Sequence, residues 1–202
     1  NKPFDMPAHP SAGNHDNTLA NALMYYYGSQ NKPFVYRCIN RLDRDTTGLT
    51  IVAKHALAGG ILGNAVAKRA IHRTYYAVCS GCTPACMRIS APIARKDAST
   101  IERCVDFKRG ENAVTDFIRI KYNPDNNLSL VKLRLLTGRT HQIRVHMKYI
   151  GFPLIGDFLY NPDYTYISRQ ALHSGRLVFT HPVTGQKMNL ISDIPSDMKS
   201  LF

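Results

Sequence analysis

The sequence lacks any long uninterrupted apolar run, which excludes a membrane-crossing helix. It lacks a charged-then-apolar start, Asn1-Lys2-Pro3-Phe4-Asp5 having no secretory pattern, so a cytoplasmic location is expected. No repeat or low-complexity tract is present, and 202 residues suffice for one domain with a real core. Acidic residues are scarce: 14 Asp plus Glu face 26 Lys plus Arg, a net charge of +12. Such an excess points to a polyanionic partner, nucleic acid first. The cations are spread along the chain, which suits a folded face more than a disordered arm.

Cysteine is present in an odd number, five, which argues against a fully paired disulfide framework. Cys79-x-x-Cys82-x-x-x-Cys86 has the look of a metal site. A structural zinc normally takes four ligands in two clusters, and neither Cys104 nor His72 sits in a ligand pair. Reduced thiols at a strand end and loop are the preferred reading, with no metal.

Local patterns predict the elements. Pro7 to Asn14 reads as loop, and Thr18 to Tyr27 has helical spacing with Gly28 as its stop. Leu49 to Ala53 is a buried strand candidate, His55 to Arg69 a helix, and Thr74 to Cys79 a strand ending at Gly81. Several short strands are expected over Ile89 to Ile120. Asn123 to Asn127 turns into an alternating strand, Leu128 to Leu136. A helix follows from His141 to Ile150, ended by Gly151, and a last hairpin turns at His181 to Gly185. Strands outnumber helices. The expected class is α+β, a mostly antiparallel central sheet with flanking helices and loops, without a dividing linker.

Three constellations could carry chemistry. Arg41-Leu42-Asp43-Arg44-Asp45-Thr46-Thr47-Gly48 sets a carboxylate between arginines, and extended backbone would put Arg41, Asp43 and Asp45 on one side. Guanidinium neighbours favour an ionised carboxylate, able to act as nucleophile or base. Alone, such a segment is more often a solvated ion pair. Arg139-Thr140-His141-Gln142-Ile143-Arg144-Val145-His146-Met147 opens a helix on a basic cluster. There Arg139, His141 and Arg144 suit phosphate or a carboxylate. Gln142 with His146, and Arg144 with Lys148, stack at i,i+4, while Ile143, Met147 and Ile150 form an apolar stripe. Alone, this is more often an amphipathic helix with a solvated face. In Arg73-Thr74-Tyr75-Tyr76-Ala77 the tyrosines point to opposite sides, one for the core and the other able to stack on a base; alone, two core or rim tyrosines are the safer reading.

Each signal is weak singly; their order is specific. Lys2-Pro3, His9-Pro10-Ser11, Arg41-Leu42-Asp43 and Arg73-Thr74-Tyr75-Tyr76-Ala77 come first. Thr137 to His146, Gly156-Asp157, Leu172-His173-Ser174 and His181-Pro182 follow. Over nearly the whole chain this series resembles the RluA family of pseudouridine synthases. The resemblance implies a central antiparallel sheet crossed by a catalytic cleft, and isomerisation of particular uridines in ribosomal or transfer RNA. It implies that Asp43 is the essential aspartate and that Tyr75 packs against the target base. It further implies that Arg144 pairs with the aspartate, and that Arg41 helps hold the target nucleotide out of its helix. Arg139 and His141 are expected to bind RNA.

The reaction needs no redox step or group donor, so no cofactor is expected. The target atoms are hidden in stacked RNA, so flipping, phosphate contacts and an aromatic platform are expected. Asp43 would attack either the base or the sugar, and both routes stay open. Tyr75 could also assist proton removal. Asn40 stands where many relatives have His. Residues 1–202 are expected to be a single catalytic domain, monomeric, without the small RNA-binding module that many relatives carry ahead of it. The competing readings are a non-catalytic RNA-binding or ribosome-assembly factor, motivated by charge alone, and a metal-dependent nuclease. The second would require clustered carboxylates or histidines that the sequence does not present.

Overall fold

The computed structural model describes residues 1–11, 13–98 and 100–202. Ala12, in the turn-rich stretch, and Ser99, in the stretch of short strands, lie outside the described residues. In chain order the elements begin α1 (Leu19–Gly28), β1 (Thr47–Gly48), α2 (Ala56–Ala67), β2 (His72–Ser80) and β3 (Cys86–Ser90). Next come β4 (Ile93–Arg95), β5 (Arg103–Val105), β6 (Val114–Asn123) and β7 (Leu128–Leu135). The chain closes with α3 (Gln142–Tyr149), β8 (Leu172–Thr180), β9 (Lys187–Ile191) and α4 (Ser196–Lys199). The β2–β7, β3–β6, β4–β5, β6–β7 and β8–β9 ladders are all antiparallel, so the class is α+β as expected. Among the described residues, no helix is long and apolar enough to cross a membrane. Two compact units emerge: residues 1–72 with 174–192, and residues 73–173 with 193–202.

In the first unit, Thr18 and Asn21 form a reciprocal capping box that starts α1, yet Ala20 is the helix's only buried residue. Tyr25 and Tyr26 remain exposed, so the apolar spacing marks a helix without marking a core face. The core gathers Ile51, Ala53, Ala58, Leu62 and Ile71 with Leu177 and Phe179 from the β8–β9 hairpin. Leu49 to Ala53 is not a regular strand. Asn40 inserts its side chain where a ladder would run: its Oδ1 accepts from Ile51 N at 2.8 Å and its Nδ2 donates to Leu49 O at 3.3 Å. Backbone bonds take over from Ile39 back to Arg37, Ile39 N to Ile51 O and Ala53 N to Arg37 O. A side chain thus satisfies polar groups that a strand partner would otherwise cover.

The second unit holds the strand order β2-β7-β6-β3. Pro124 to Asn127 supplies the β6–β7 turn, with Asn127 at a φ of +50°. Val78, Leu128, Ile155, Ile167, Ala171 and Met198 form one core; Ile93, Ala113, Val145 and Tyr160 form another. Arg169 forks onto Asp197 at 2.8 and 3.0 Å, fastening α4 to the loop before β8. The five cysteines are free thiols. Cys79 is fully buried in β2, which pushes its thiol well above the usual range, while Cys82 and Cys86 are exposed.

Candidate active site

In the first unit, Asp43 stands at the head of a tight turn. Its carbonyl accepts from Thr46 N at 3.1 Å, and Leu42 before it is buried. The turn corrects the extended reading: Arg41 is exposed, Asp43 half-buried and Asp45 buried, so the three do not share one side. Arg44 forks onto Asp45, with Nε at 3.0 Å and Nη2 at 3.0 Å from its two carboxylate oxygens. Partial burial, and then the charge of Arg41, hold His9 below the ordinary histidine value.

What fixes the turn is Lys2, which opens the motif series but carried no expected role there. Lys2 is 2% exposed, and its ammonium donates to the carbonyls of Pro3 (2.7 Å), Met6 (2.9 Å) and Arg44 (2.7 Å). Three donors meet three acceptors, which makes burial of the charge tolerable. Lys2 also exchanges backbone bonds with Gly48 at 2.8 and 2.9 Å. Gly48 lies at a φ of +106°, and a Cβ there would stand 2.3 Å from Ser174 O. Only glycine lets β1 approach that closely.

In the second unit, Tyr75 lies in β2 opposite Leu133, 4% exposed. Tyr76 takes the other face, half-buried against the core around Val78. The alternation is as expected, but neither ring stands free of its surroundings.

The α3 helix departs from a solvated amphipathic helix. Gln142 to Met147 are all buried, polar residues included. Gln142 Nε2 donates to Thr115 Oγ1 (2.9 Å) and Val114 O (3.0 Å), and its Oε1 accepts from Thr137 Oγ1 (2.7 Å) and Arg139 N (3.0 Å). His146 Nε2 lies 2.8 Å from Ala91 O, an acceptor only, so Nε2 carries the hydrogen and Nδ1 accepts from Thr115 Oγ1 at 2.9 Å. The i,i+4 pair Gln142 and His146 thus forms a polar spine joined through Thr115.

Arg144 is 1% exposed and forks onto Asp157, Nε to Oδ2 and Nη2 to Oδ1 at 2.7 Å each. Asp157 also accepts from the backbone N–H groups of Leu159 (3.0 Å) and Tyr160 (3.2 Å). The guanidinium lies 4.9 Å from the Tyr160 ring centre and 5.4 Å from that of Phe158, geometry that favours cation–π attraction. Lys148 stands 5.5 Å from the same Tyr160 ring, so the i,i+4 cations share one aromatic. The Tyr160 hydroxyl accepts from Arg103 N at 2.9 Å and meets His141 Nδ1 at 2.9 Å. Burial pushes the Tyr160 hydroxyl up to about 12. His141 caps α3 at a φ of +57°, and Arg139 pairs with Glu111 and donates from Nε to Asn112 O.

The second unit therefore brings Arg144 and His141 together on Tyr160, and holds Tyr75 and Arg139 as well. Arg41 and Asp43 belong to the first. Asp157 and Tyr160 were missed as partners. The Gly156-Asp157 pair was their signal: Gly156 has a φ of +66°, and a Cβ there would lie 2.2 Å from Arg169 O.

The units thus hold antiparallel ladders, a carboxylate in a clamped turn, and a buried arginine set against two aromatic rings. Residues 1–149 match the family model described as RNA pseudouridylate synthase, and the chain belongs to that family of isomerases, which convert uridine in RNA to pseudouridine. It is 39% identical over 202 residues to an RNA pseudouridine synthase of Bacillus subtilis named YhcT, covering all of this chain and 67% of that one. It is 38% identical to ribosomal large subunit pseudouridine synthase D of Zymomonas mobilis, covering all of this chain and 68% of that protein. The chain thus spans about two thirds of the length of these relatives. The solved structure of human RNA pseudouridylate synthase domain containing 1 aligns with a TM-score of 0.79 at 25% identity, over 96% of this chain and 78% of that one.

Proposed function

We propose that this chain isomerises specific uridines of structured RNA, ribosomal RNA foremost, with Asp43 as the catalytic carboxylate. The observation that carries the reading is the family match running through the Asp43 turn and the α3 segment. The likeness to a ribosomal large subunit synthase supports the choice of RNA. Asp43 attacks the flipped nucleotide, the bond from ribose to the uracil nitrogen breaks, and the base turns within the site. A ring carbon then bonds to ribose, the bond to Asp43 breaks to return the free carboxylate, and that carbon gives up its proton to solvent. Tyr75 packs against the uracil and assists that proton transfer. Arg144, held by Asp157, completes the set of catalytic residues. Arg41 holds the extruded nucleotide, and Arg139 with His141 contacts the RNA backbone. The enzyme works as a cytoplasmic monomer and uses no cofactor or metal.

The test is tritium release from RNA labelled at the uracil carbon that becomes bonded to ribose. Wild type is expected to release label and Asp43→Ala to release essentially none. Equal release by the two proteins would remove Asp43 from the chemistry; absence of release from any ribosomal RNA by wild type would remove the substrate.

A further inference from the structure

The second unit carries a cavity of about 470 Å³ that none of these roles uses in full. Arg95, Arg103, Arg109 and Arg139 line it, and Glu111 is the one acidic lining residue. Ile93, Ala94, Gly138 and Thr140 complete its lining. The β4–β5 pairing sets Arg95 directly opposite Arg103. Like charges on facing strand positions are unfavourable unless something lies between or beside them.

The pairing within the cavity is uneven. Arg109 is held by Asp106 at 2.7 Å, and Arg139 by Glu111. Among the described residues, neither Arg95 nor Arg103 has a carboxylate partner: Arg95 Nη1 reaches only the Ala98 carbonyl, at 3.3 Å, and Arg103 is anchored through its backbone to Tyr160. A fifth cation stands beside Gly138, the Arg73 guanidinium lying 3.3 Å from where a Cβ on that glycine would be. A side chain at residue 138 would crowd it. Arg95, Arg109 and Arg139 are exposed, so the charge faces solvent.

We infer that this cavity is a phosphodiester-binding subsite: it takes the sugar–phosphate backbone of the RNA substrate, with Arg95 and Arg103, which have no carboxylate partner among the described residues, as its main donors. The inference rests on the reading of the chain as acting on RNA, and adds a second arginine cluster to that reading. Forked guanidiniums suit phosphate oxygens, and a concave lining of four arginines against one carboxylate focuses the attraction. At about 30 Å³ per water, the space equals on the order of fifteen waters, enough for a phosphate with its adjoining sugar. Contacts to the sugar–phosphate backbone contribute affinity and register rather than sequence choice.

The experiment compares wild type, Arg95→Gln/Arg103→Gln and a control, Arg88→Gln/Lys132→Gln, that removes the same charge outside the cavity. Each binds a fluorescein-labelled stem-loop RNA across a series of salt concentrations, and each is checked by thermal melting. Each lost phosphate contact lowers the slope of log affinity against log salt by about 0.7 to 0.9. The cavity variant is expected to lose between about one and two units of slope and to bind about tenfold more weakly at physiological salt; the control should lose less than half of that. If the double variant melts early, Arg95→Gln alone carries the test, because its side chain is exposed, and half the slope loss is expected. An unchanged slope in the cavity variant, or an equal loss in the control, overturns the subsite. Tritium release by the same wild-type preparation reports separately on catalysis: release with an unchanged slope rejects the cavity and keeps the enzyme, and a lost slope without release does the reverse.

Discussion

The Arg144 guanidinium and the Asp157 carboxylate meet as a two-pronged fork, 2.7 Å on each arm, with 1% and 0% of their side chains exposed. Such a pair has little net worth against an apolar isostere, but removing one member strands a buried charge. Asp157→Ala is therefore expected to destabilise the fold by about 3–5 kcal/mol in urea unfolding, and Arg144→Met/Asp157→Leu by clearly less. Additive losses in the double variant would mean that the two residues act independently.

Tyr75→Phe keeps the ring and removes the hydroxyl. The proposed proton-transfer role predicts a fall in the single-turnover rate of about 10²-fold, with RNA affinity held. Tyr75→Leu should weaken both. If Tyr75→Phe turns over like wild type, the tyrosine serves as a packing surface and the proton leaves by another route.

Gly48→Ala brings a Cβ to within 2.3 Å of the Ser174 carbonyl at a φ that side chains rarely adopt. Backbone on one side or the other must give. The expected cost is on the order of 3 kcal/mol, read as a lower urea midpoint. Because Gly48 also pairs with Lys2, tritium release should fall with it even where the variant remains folded.

His146 predicts a pH dependence of stability. Burial lowers its pKa from 6.5, and the Ala91 carbonyl opposes the shift only in part. The unfolded chain therefore takes up the proton first. The stabilisation is complete above 6.5 and is lost as pH falls below that value towards the folded one. A proton on Nδ1 would also meet the Thr115 hydroxyl and force it to turn. Urea unfolding across this range should show wild type weakening towards acid and His146→Asn weakening less. His9, lowered in the same direction, leaves a residual slope. Parallel curves would rule out His146 as the source.

The sequence revealed most of the elements because their signals are local. The Thr18 cap, the Pro124 to Asn127 turn and the Gly81 and Gly151 stops all act within a few residues. The site was legible as an ordered series of short segments. Its internal geometry was not. Asp157 lies 13 residues beyond Arg144, and Lys2 lies 42 residues before the carbonyl it clamps, so neither bond leaves a spacing to read. The Asp43 segment looked extended because side-chain alternation assumes a strand, whereas the Thr46 bond closes a turn. The α3 polar face looked solvated because helical periodicity cannot distinguish water from the buried acceptors Thr115 and Ala91.

Lys2 also offers a clock. An ammonium enclosed by three carbonyls is out of reach of acylating reagents until the segment around it opens. The rate at which Lys2 is modified in the folded protein therefore counts how often the turn holding Asp43 comes apart. RNA that grips that turn should slow the clock without touching the lysine.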